Sequence, residues 1–482
     1  MAQFLNPMLL DLIQSVFTWT HHGGFPLNLI DRSYLNHVLA YRNGRALLLI
    51  WMFSMLAQGV VQGGQAIRCG DFSIPLTREM IIDRALCSHP DIRMQAAVRR
   101  QYAADVDASI ARQRPTVQAS GQWSRRDTDI AGFDTDTSET WDARLDLAYL
   151  LWDFGEQHAQ VEQSRWLLMA QNHYFDTTVA QVVSEVLLSY YDALQALENL
   201  EVSRMRRNRH YMLSRITHER HRVGEDSALE PAQADSALAQ SKLEWSRAEN
   251  QWRQSQANLN ERLGLSANES LNLAPQEWNA NDLEPLSDLS AWMAQALRQR
   301  PELAEAKARV EAARSNYEAR RRAPWPELSF TSGWGYTDSG RGDPYRNWRA
   351  GLNIEIPMYA GGRYRAERQK AEASLSEQKS RYLRWEQVIS AEVWRAYFAW
   401  RTAWDELSPS EDWLSSARHT YRISLGRYEA GEGELRDVLD AQLVLFEAER
   451  NQTVIHYDWR REKDALAMAI GALPSISEKP KP

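Results

Sequence analysis

Four runs of the chain alternate apolar and polar residues with a period of two. The first sets Val117, Ala119, Gly121 and Trp123 against Gln118, Ser120, Gln122 and Ser124. The second sets Trp141, Ala143, Leu145, Leu147 and Tyr149 against Asp142, Arg144 and Asp146. The third sets Leu328, Phe330, Trp334 and Tyr336 against Ser329, Thr331, Gly333 and Gly335, and the fourth Trp348, Ala350, Leu352, Ile354 and Ile356 against Arg349, Gly351, Asn353 and Glu355. Alternation of this kind predicts β-strands with one apolar face. The expected spans are about 116–124, 140–150, 327–337 and 347–358, long enough to cross a bilayer as tilted strands. Trp123 and Trp334 end their runs, while Trp141 and Trp348 begin theirs. All four are therefore expected at one rim, with Tyr149, Trp152 and Tyr359 at the other. Two aromatic rims around an apolar band are what membrane interfaces select. A half-buried sheet of a soluble domain would instead pack its tryptophans in the core.

Between the strand pairs the period changes. Val179, Val183, Val186, Tyr190, Ala193, Leu197 and Leu200 recur at four-three spacing, as do Val393, Tyr397, Trp400, Trp404 and Leu407. Leu238, Trp245, Trp252 and Leu259 repeat every seven residues beside a row of small ones (Ala234, Ser241, Ala248, Ser255), and Leu445, Trp459 and Leu466 keep the same spacing. This is the pattern of helices packed as coiled coils. Helices are expected at about 77–113, 156–222, 290–322 and 363–429. Each of the two long ones spans roughly 100 Å at ~1.5 Å per residue. Pro115 and Pro326 stop the helices that precede the strand pairs. Gly155, and Gly361-Gly362, turn strand into helix.

These elements occur twice. Pro90, Pro115 and Trp123 match Pro301, Pro326 and Trp334 at an offset of 211. Beyond a shortened loop the offset is 207, matching Gly155 to Gly362, Tyr190-Tyr191 to Tyr397-Phe398, Gly224 to Gly431, Trp252 to Trp459 and Gly264 to Gly471. A constant offset over so long a stretch is a property of long helices rather than loops. The expected organisation is a leader over 1–66, a first repeat over 67–270, a linker over 271–289, a second repeat over 290–473 and a tail over 474–482. The leader carries Arg42 and Arg45, then an apolar stretch over 46–57, then small residues. That order describes a signal peptide. Its distance from Met1 points to an upstream start-codon assignment, the alternatives being an unusual extension or a buried helix of a small N-terminal domain.

Composition narrows the class. Of 482 residues, 44% are hydrophobic and 25% charged, so the chain is not broadly disordered. Its net charge of -8 argues against a nucleic-acid partner. Two cysteines, Cys69 and Cys87, exclude a disulfide framework and a Cys-rich metal site; pairing between them and two free thiols both remain open. No phosphate loop, nucleophile elbow or HExxH motif is present, so no catalysis, cofactor or metal is expected. One chain supplies only four strands, and open sheet edges are not tolerated in hydrocarbon. The barrel is therefore shared between copies. Three copies give twelve strands and room for a water-filled lumen lined by the polar face, whereas two would give a filled barrel.

With the repeat, both proline stops, both strand pairs and both glycine turns in place, the chain resembles the TolC family of outer membrane factors over about residues 77–473. The resemblance implies an α+β membrane protein, internally duplicated. Long coiled-coil helices would form a periplasmic α-barrel, and four transmembrane β-strands per chain would contribute to a 12-stranded trimeric β-barrel. It implies a homotrimer in outer-membrane lipid that docks through a periplasmic adaptor onto an inner-membrane transporter. Cargo would be a protein toxin in type I secretion, such as a repeat-in-toxin protein, with multidrug efflux as the alternative. Arg68 beside Cys69 does not fit a lipoprotein cleavage box, which favours the first. A soluble coiled-coil scaffold is the remote alternative.

The helix-to-helix turns would form the far tip. There the run Asp437-Val438-Leu439-Asp440-Ala441 is similar to the family's tip motif. The resemblance implies that Asp437 and Asp440 line the closed entrance, with Glu230 as the acid of the first repeat and Tyr428 as a tyrosine holding the tip shut. Three copies would then form an acidic ring favouring cations. The plainer alternative is that these acids complement a helix N-terminus. At Gly433 the family commonly has an arginine that makes the closing link; Arg436 is the candidate substitute.

Overall fold

The computed structural model describes residues 75–128, 136–274, 288–340 and 343–472. The expected signal segment, Cys69 and the tail 474–482 lie outside the described residues, as does most of the expected linker. Cys87 is disulfide-bonded. Each repeat runs through two short helices, a β-hairpin, a long helical run and a returning helix. In the first these are α1 (Arg78–Ser88), α2 (Pro90–Ala111), β1 (Thr116–Thr128), β2 (Asp136–Trp152), α3 (Glu156–Arg222) and α4 (Leu229–Arg262). In the second they are α5 (Leu289–Gln299), α6 (Pro301–Arg322), β3 (Glu327–Asp338), β4 (Tyr345–Glu355), α7 (Arg363–Asp405), α8 (Leu407–Glu429) and α9 (Leu435–Ala469).

Three expected helices are broken, each beside a proline. His89 precedes Pro90 and Arg300 precedes Pro301, and both hold extended backbone (ψ 129° and 122°). The proline ring disfavours α geometry at the residue before it. Each break lets a short helix pack on the long helix of its own repeat, α1 on α3 and α5 on α7. The third break separates α7 from α8 at Glu406. Pro409 has no N–H for the carbonyl of Asp405, and its ring crowds that carbonyl. At the matching place α3 has no proline and continues unbroken for 67 residues.

The two repeats carry equivalent cores. Ile81, Ile82, Val186, Tyr190, Leu259 and Leu263 pack together in the first, closed by a bridge between Leu76 and Leu273. In the second, Tyr397, Trp400, Leu407, Ile455, Trp459 and Leu466 pack together, with Trp292 against them. Leu259 and Leu466, matched by the repeat, both belong to the seven-residue rows.

The four strands form one antiparallel sheet in the order β1-β2-β3-β4. Its register puts every apolar set on one face and every polar set on the other. A bulge between Leu150 and Trp152 keeps Trp152 on the apolar side, opposite Leu328. No helix packs across the apolar face among the described residues; Trp348 is 72% exposed and Leu352 68%. A sheet of a soluble domain would have covered it. The strands outrun the expected spans at the loop end, so Trp123 and Trp334 do not end theirs. The four tryptophans also occupy two rungs rather than one. Trp123 pairs with Trp141 and Trp334 with Trp348, but Trp334 stands opposite Leu145, four residues along β2 from Trp141. This is the stagger that tilted barrel strands require.

The polar face is shaped by a missing side chain. Arg349 on β4 reaches across Gly333 on β3 to Asp146 on β2, with its Nη2 donating to Oδ1 at 2.8 Å. A Cβ at Gly333 would lie 2.8 Å from that oxygen and 3.0 Å from Nε of Arg349.

Both strand-to-helix turns use left-handed backbone, at Phe154 and Gly155 in one repeat and Gly361 and Gly362 in the other. Phe154 is held by rings, 5.0 Å from Trp325 and 6.0 Å from Trp152. Pro115 and Pro326 occupy the bend between helix and strand. Gly155 and Gly362 share φ near +85°, but a Cβ at Gly155 would lie 2.9 Å from Nη1 of Arg322, whereas one at Gly362 meets open space. Gly362→Ala should therefore cost only the left-handed backbone penalty, about 1–2 kcal/mol, and Gly155→Ala should cost more. Thermal unfolding in detergent checks this; equal losses would show that Arg322 simply moves aside.

Candidate functional site

The two turns that reverse the long helices both end on Schellman-type hydrogen bonds. Glu225 N–H donates to the Arg220 carbonyl and Glu432 N–H to the Arg427 carbonyl, with Gly224 and Gly431 at positive φ. Behind the turns one apolar cluster joins all four helices: Leu213 of α3, Ala234 of α4, Tyr428 of α8, and Leu435 and Val438 of α9. This cluster buries the Tyr428 ring and brings its hydroxyl to the first repeat.

There it meets a pair that sequence reading missed. The Tyr428 hydroxyl donates to Asp226 Oδ2 at 2.6 Å, while Arg220 Nε donates to both Asp226 oxygens at 3.0 and 3.1 Å. The Arg220 guanidinium also stands 5.0 Å over the Tyr428 ring. Burial, then the Asp226 contact and the charge of Glu230, push the Tyr428 hydroxyl well above its ordinary range. It therefore stays protonated and remains a donor at any ordinary pH. Arg220 is likewise held protonated, chiefly by Asp226. The three residues form a bond across the repeats at the end of the molecule. Arg220 and Asp226 flank the turn rather than joining the Asp437 run, so no motif marked them.

The other tip residues are placed differently. Asp437 and Asp440 are exposed on the first turns of α9. Glu230 accepts from the Ser227 hydroxyl at 2.7 Å, at the start of α4. Arg436 lies 3.8 Å from Asp440, and both are exposed. The place beside Tyr428 belongs to Arg220. Gly433 sits close behind the turn: a Cβ there would lie 3.2 Å from the Tyr428 amide nitrogen and from Arg427 Cβ, so a side chain would need its neighbours to give slightly. Among the described residues no cluster of His, Cys, Asp and Glu is arranged to hold a metal, and no helix is long and apolar enough to cross a membrane.

A four-stranded sheet carried on long paired helices has known counterparts. The family described as outer membrane efflux protein matches residues 81–265 and 292–472, one span in each repeat. The chain belongs to the outer membrane efflux protein family. Protein CyaE of Bordetella pertussis is 27% identical over 81% of this chain and 83% of its own length. The pyoverdine export outer membrane protein OpmQ of Pseudomonas aeruginosa is 25% identical over 77% and 80%. The cation efflux system protein CusC of an Escherichia coli strain is 25% identical over 80% and 84%. In fold, a CusC crystal structure superposes with a TM-score of 0.73 at 22% identity, covering 83% of this chain and 93% of CusC. The Campylobacter jejuni CmeC outer membrane channel gives 0.72 at 20% identity, covering 86% and 92%. The chain is therefore an outer-membrane channel and not an enzyme.

Further from the tip, this family member stitches three of its helices with charge. Arg206 pairs with Glu244 of α4 and lies 4.1 Å over the Phe446 ring of α9, and Arg209 grips Glu449 of α9 with both terminal nitrogens, at 3.0 and 2.6 Å. Between them His210 is buried, its Nδ1 without a partner. Burial, then Arg206 and Arg209, push its pKa down to about 4. The unfolded value is about 6.5, so below that pH the unfolded chain takes a proton that the folded chain refuses. Stability should therefore fall as pH drops from about 6.5 to 4, by on the order of a few kcal/mol. His210→Gln should reduce that slope. It should not abolish it, because His456 is shifted in the same direction. Melting temperatures in detergent at pH 7 and pH 4.5 measure it; an unchanged slope would remove His210 as the cause.

Proposed function

We propose that three copies of this chain close a 12-stranded barrel over a periplasmic tunnel of helices, and that this duct is the exit of a tripartite export system. Its partners would be a periplasmic adaptor and an inner-membrane ABC transporter. Its cargo would be a protein toxin such as a repeat-in-toxin protein. The observation that carries the duct is the open-edged sheet, apolar on one face and polar on the other, continuous with a 67-residue helix. The absence of a lipoprotein box before Cys69 favours protein secretion. Small-molecule efflux is the second reading, supported by the resemblance to proteins named for pyoverdine export and cation efflux. Deleting the gene separates them: lost secretion with unchanged drug tolerance supports the first, and the reverse pattern replaces it with the second. Unheated gel electrophoresis of the outer-membrane fraction should show a trimer that collapses on boiling.

At the tip, Tyr428 and Asp226, held by Arg220, would latch the tunnel shut, with Asp437, Asp440 and Glu230 setting the charge at its mouth. Tyr428→Phe should raise single-channel conductance in planar bilayers several-fold. Replacing Asp437 and Asp440 together with Ala should lower cation selectivity; an unshifted reversal potential would take them out of the pore mouth.

A further inference from the structure

The internal repeat offers a template for contacts that a single chain leaves unmade. Within the chain, α3 of the first repeat packs on α9 of the second. Four pairs bridge that seam: the Tyr191 hydroxyl donates to Asp464 at 2.7 Å, Arg209 grips Glu449, Arg206 covers the Phe446 ring, and Arg461 pairs with Asp192 at 2.7 Å. The repeat copies both of its sides. The copy of the α3 face lies on α7–α8, and the copy of the α9 face lies on α4. Among the described residues no comparable packing joins α4 to α7 or α8.

The duplicated face is bare and aromatic. At the offset of 207, Leu187 and Tyr191 become Trp394 and Phe398, and Arg206 becomes Trp413. Leu187 and Tyr191 are buried, at 2% and 3% exposure, whereas Trp394 and Phe398 are 52% and 43% exposed. The Trp394 and Phe398 rings lie against each other, centroids 5.0 Å apart and planes tilted by 48°. On the receiving side the same offset turns Asp464 into Ala257, Phe446 into Ala239 and Glu449 into Lys242. The correspondence matches each large ring to an alanine, Phe398 to Ala257 and Trp413 to Ala239. Arg209 with Glu449 becomes Ser416 with Lys242, and Arg461 with Asp192 becomes Gln254 with Ala399, so neither ion pair is copied.

We propose that the α7–α8 face carrying Trp394, Phe398 and Trp413 docks on α4 of a second copy of this chain at Ala239 and Ala257. The proposal rests on the trimer reading above and gives that trimer its seam. The seam inside the chain carries ion pairs, and the seam between chains is an aromatic-on-alanine joint. A joint without ion pairs is not weakened by screening, and apolar burial is the non-directional part of association.

Cross-linking tests it in the full chain. Phe398→Cys and Ala257→Cys are placed on separately tagged copies, co-expressed and treated in membranes with a short bis-maleimide. A covalent pair bearing both tags is expected, and neither variant expressed alone should give one. Ser416→Cys with Lys242→Cys, two exposed positions, repeats the test without touching an aromatic anchor. Unheated trimers that give no cross-link with either pair would overturn the seam while leaving the duct intact. Wild-type protein that runs as a monomer on unheated gels and conducts no current would overturn the duct itself. Raising KCl tenfold should leave the temperature of trimer dissociation unchanged or higher; a marked fall would mean that ion pairs hold the copies together.

Discussion

A β-strand in hydrocarbon has no water to satisfy its backbone, so every N–H and C=O along it must find another strand. That requirement governs this protein. The sheet satisfies β2 and β3 on both sides and leaves β1 and β4 with one free edge each. Among the described residues its apolar face is uncovered. The chain is thus a fragment of a closed surface, and its helices inherit the same incompleteness. They are amphipathic on more faces than one chain can bury, with rings such as Trp394 left outside.

The duplication answers this with economy of design. One unit, used twice, is pinned by the same features in each copy: a proline between helix and strand, left-handed residues between strand and helix, and a leucine row along the returning helix. Where the copies differ, the difference has a physical use. The first repeat closes its turn with Asp153, whose carboxylate accepts from the Gly155 and Gln157 amides; the second has Ala360 there and relies on two glycines. The first keeps α3 straight, whereas the second breaks at Glu406 ahead of Pro409.

Much of this was legible in the sequence because it is periodic. Alternation placed each strand's apolar face, and the constant offset of 207 exposed the repeat. The parts that stayed hidden are those without a period. The helix breaks at His89, Arg300 and Glu406 follow from single prolines inside otherwise helical patterns. The two levels of tryptophan depend on how one hairpin registers on the next, which spacing along the chain does not encode. The tip shows the same limit. Tyr428 stood out through family resemblance, but its partners Asp226 and Arg220 lie some two hundred residues away and meet it only because the turns of both repeats end at the same height.

Gly333 has a consequence for anything moving past the polar face. Because no side chain stands there, Arg349 lies along the sheet and ends against Asp146. A cation and an anion lying side by side in the wall act as a dipole, whose field falls off with distance faster than that of either charge alone. Solute close to the wall meets strongly hydrated groups; solute a few water layers away meets almost no field. A surface built in this way is wet without being adhesive, which suits a conduit that must let its contents go.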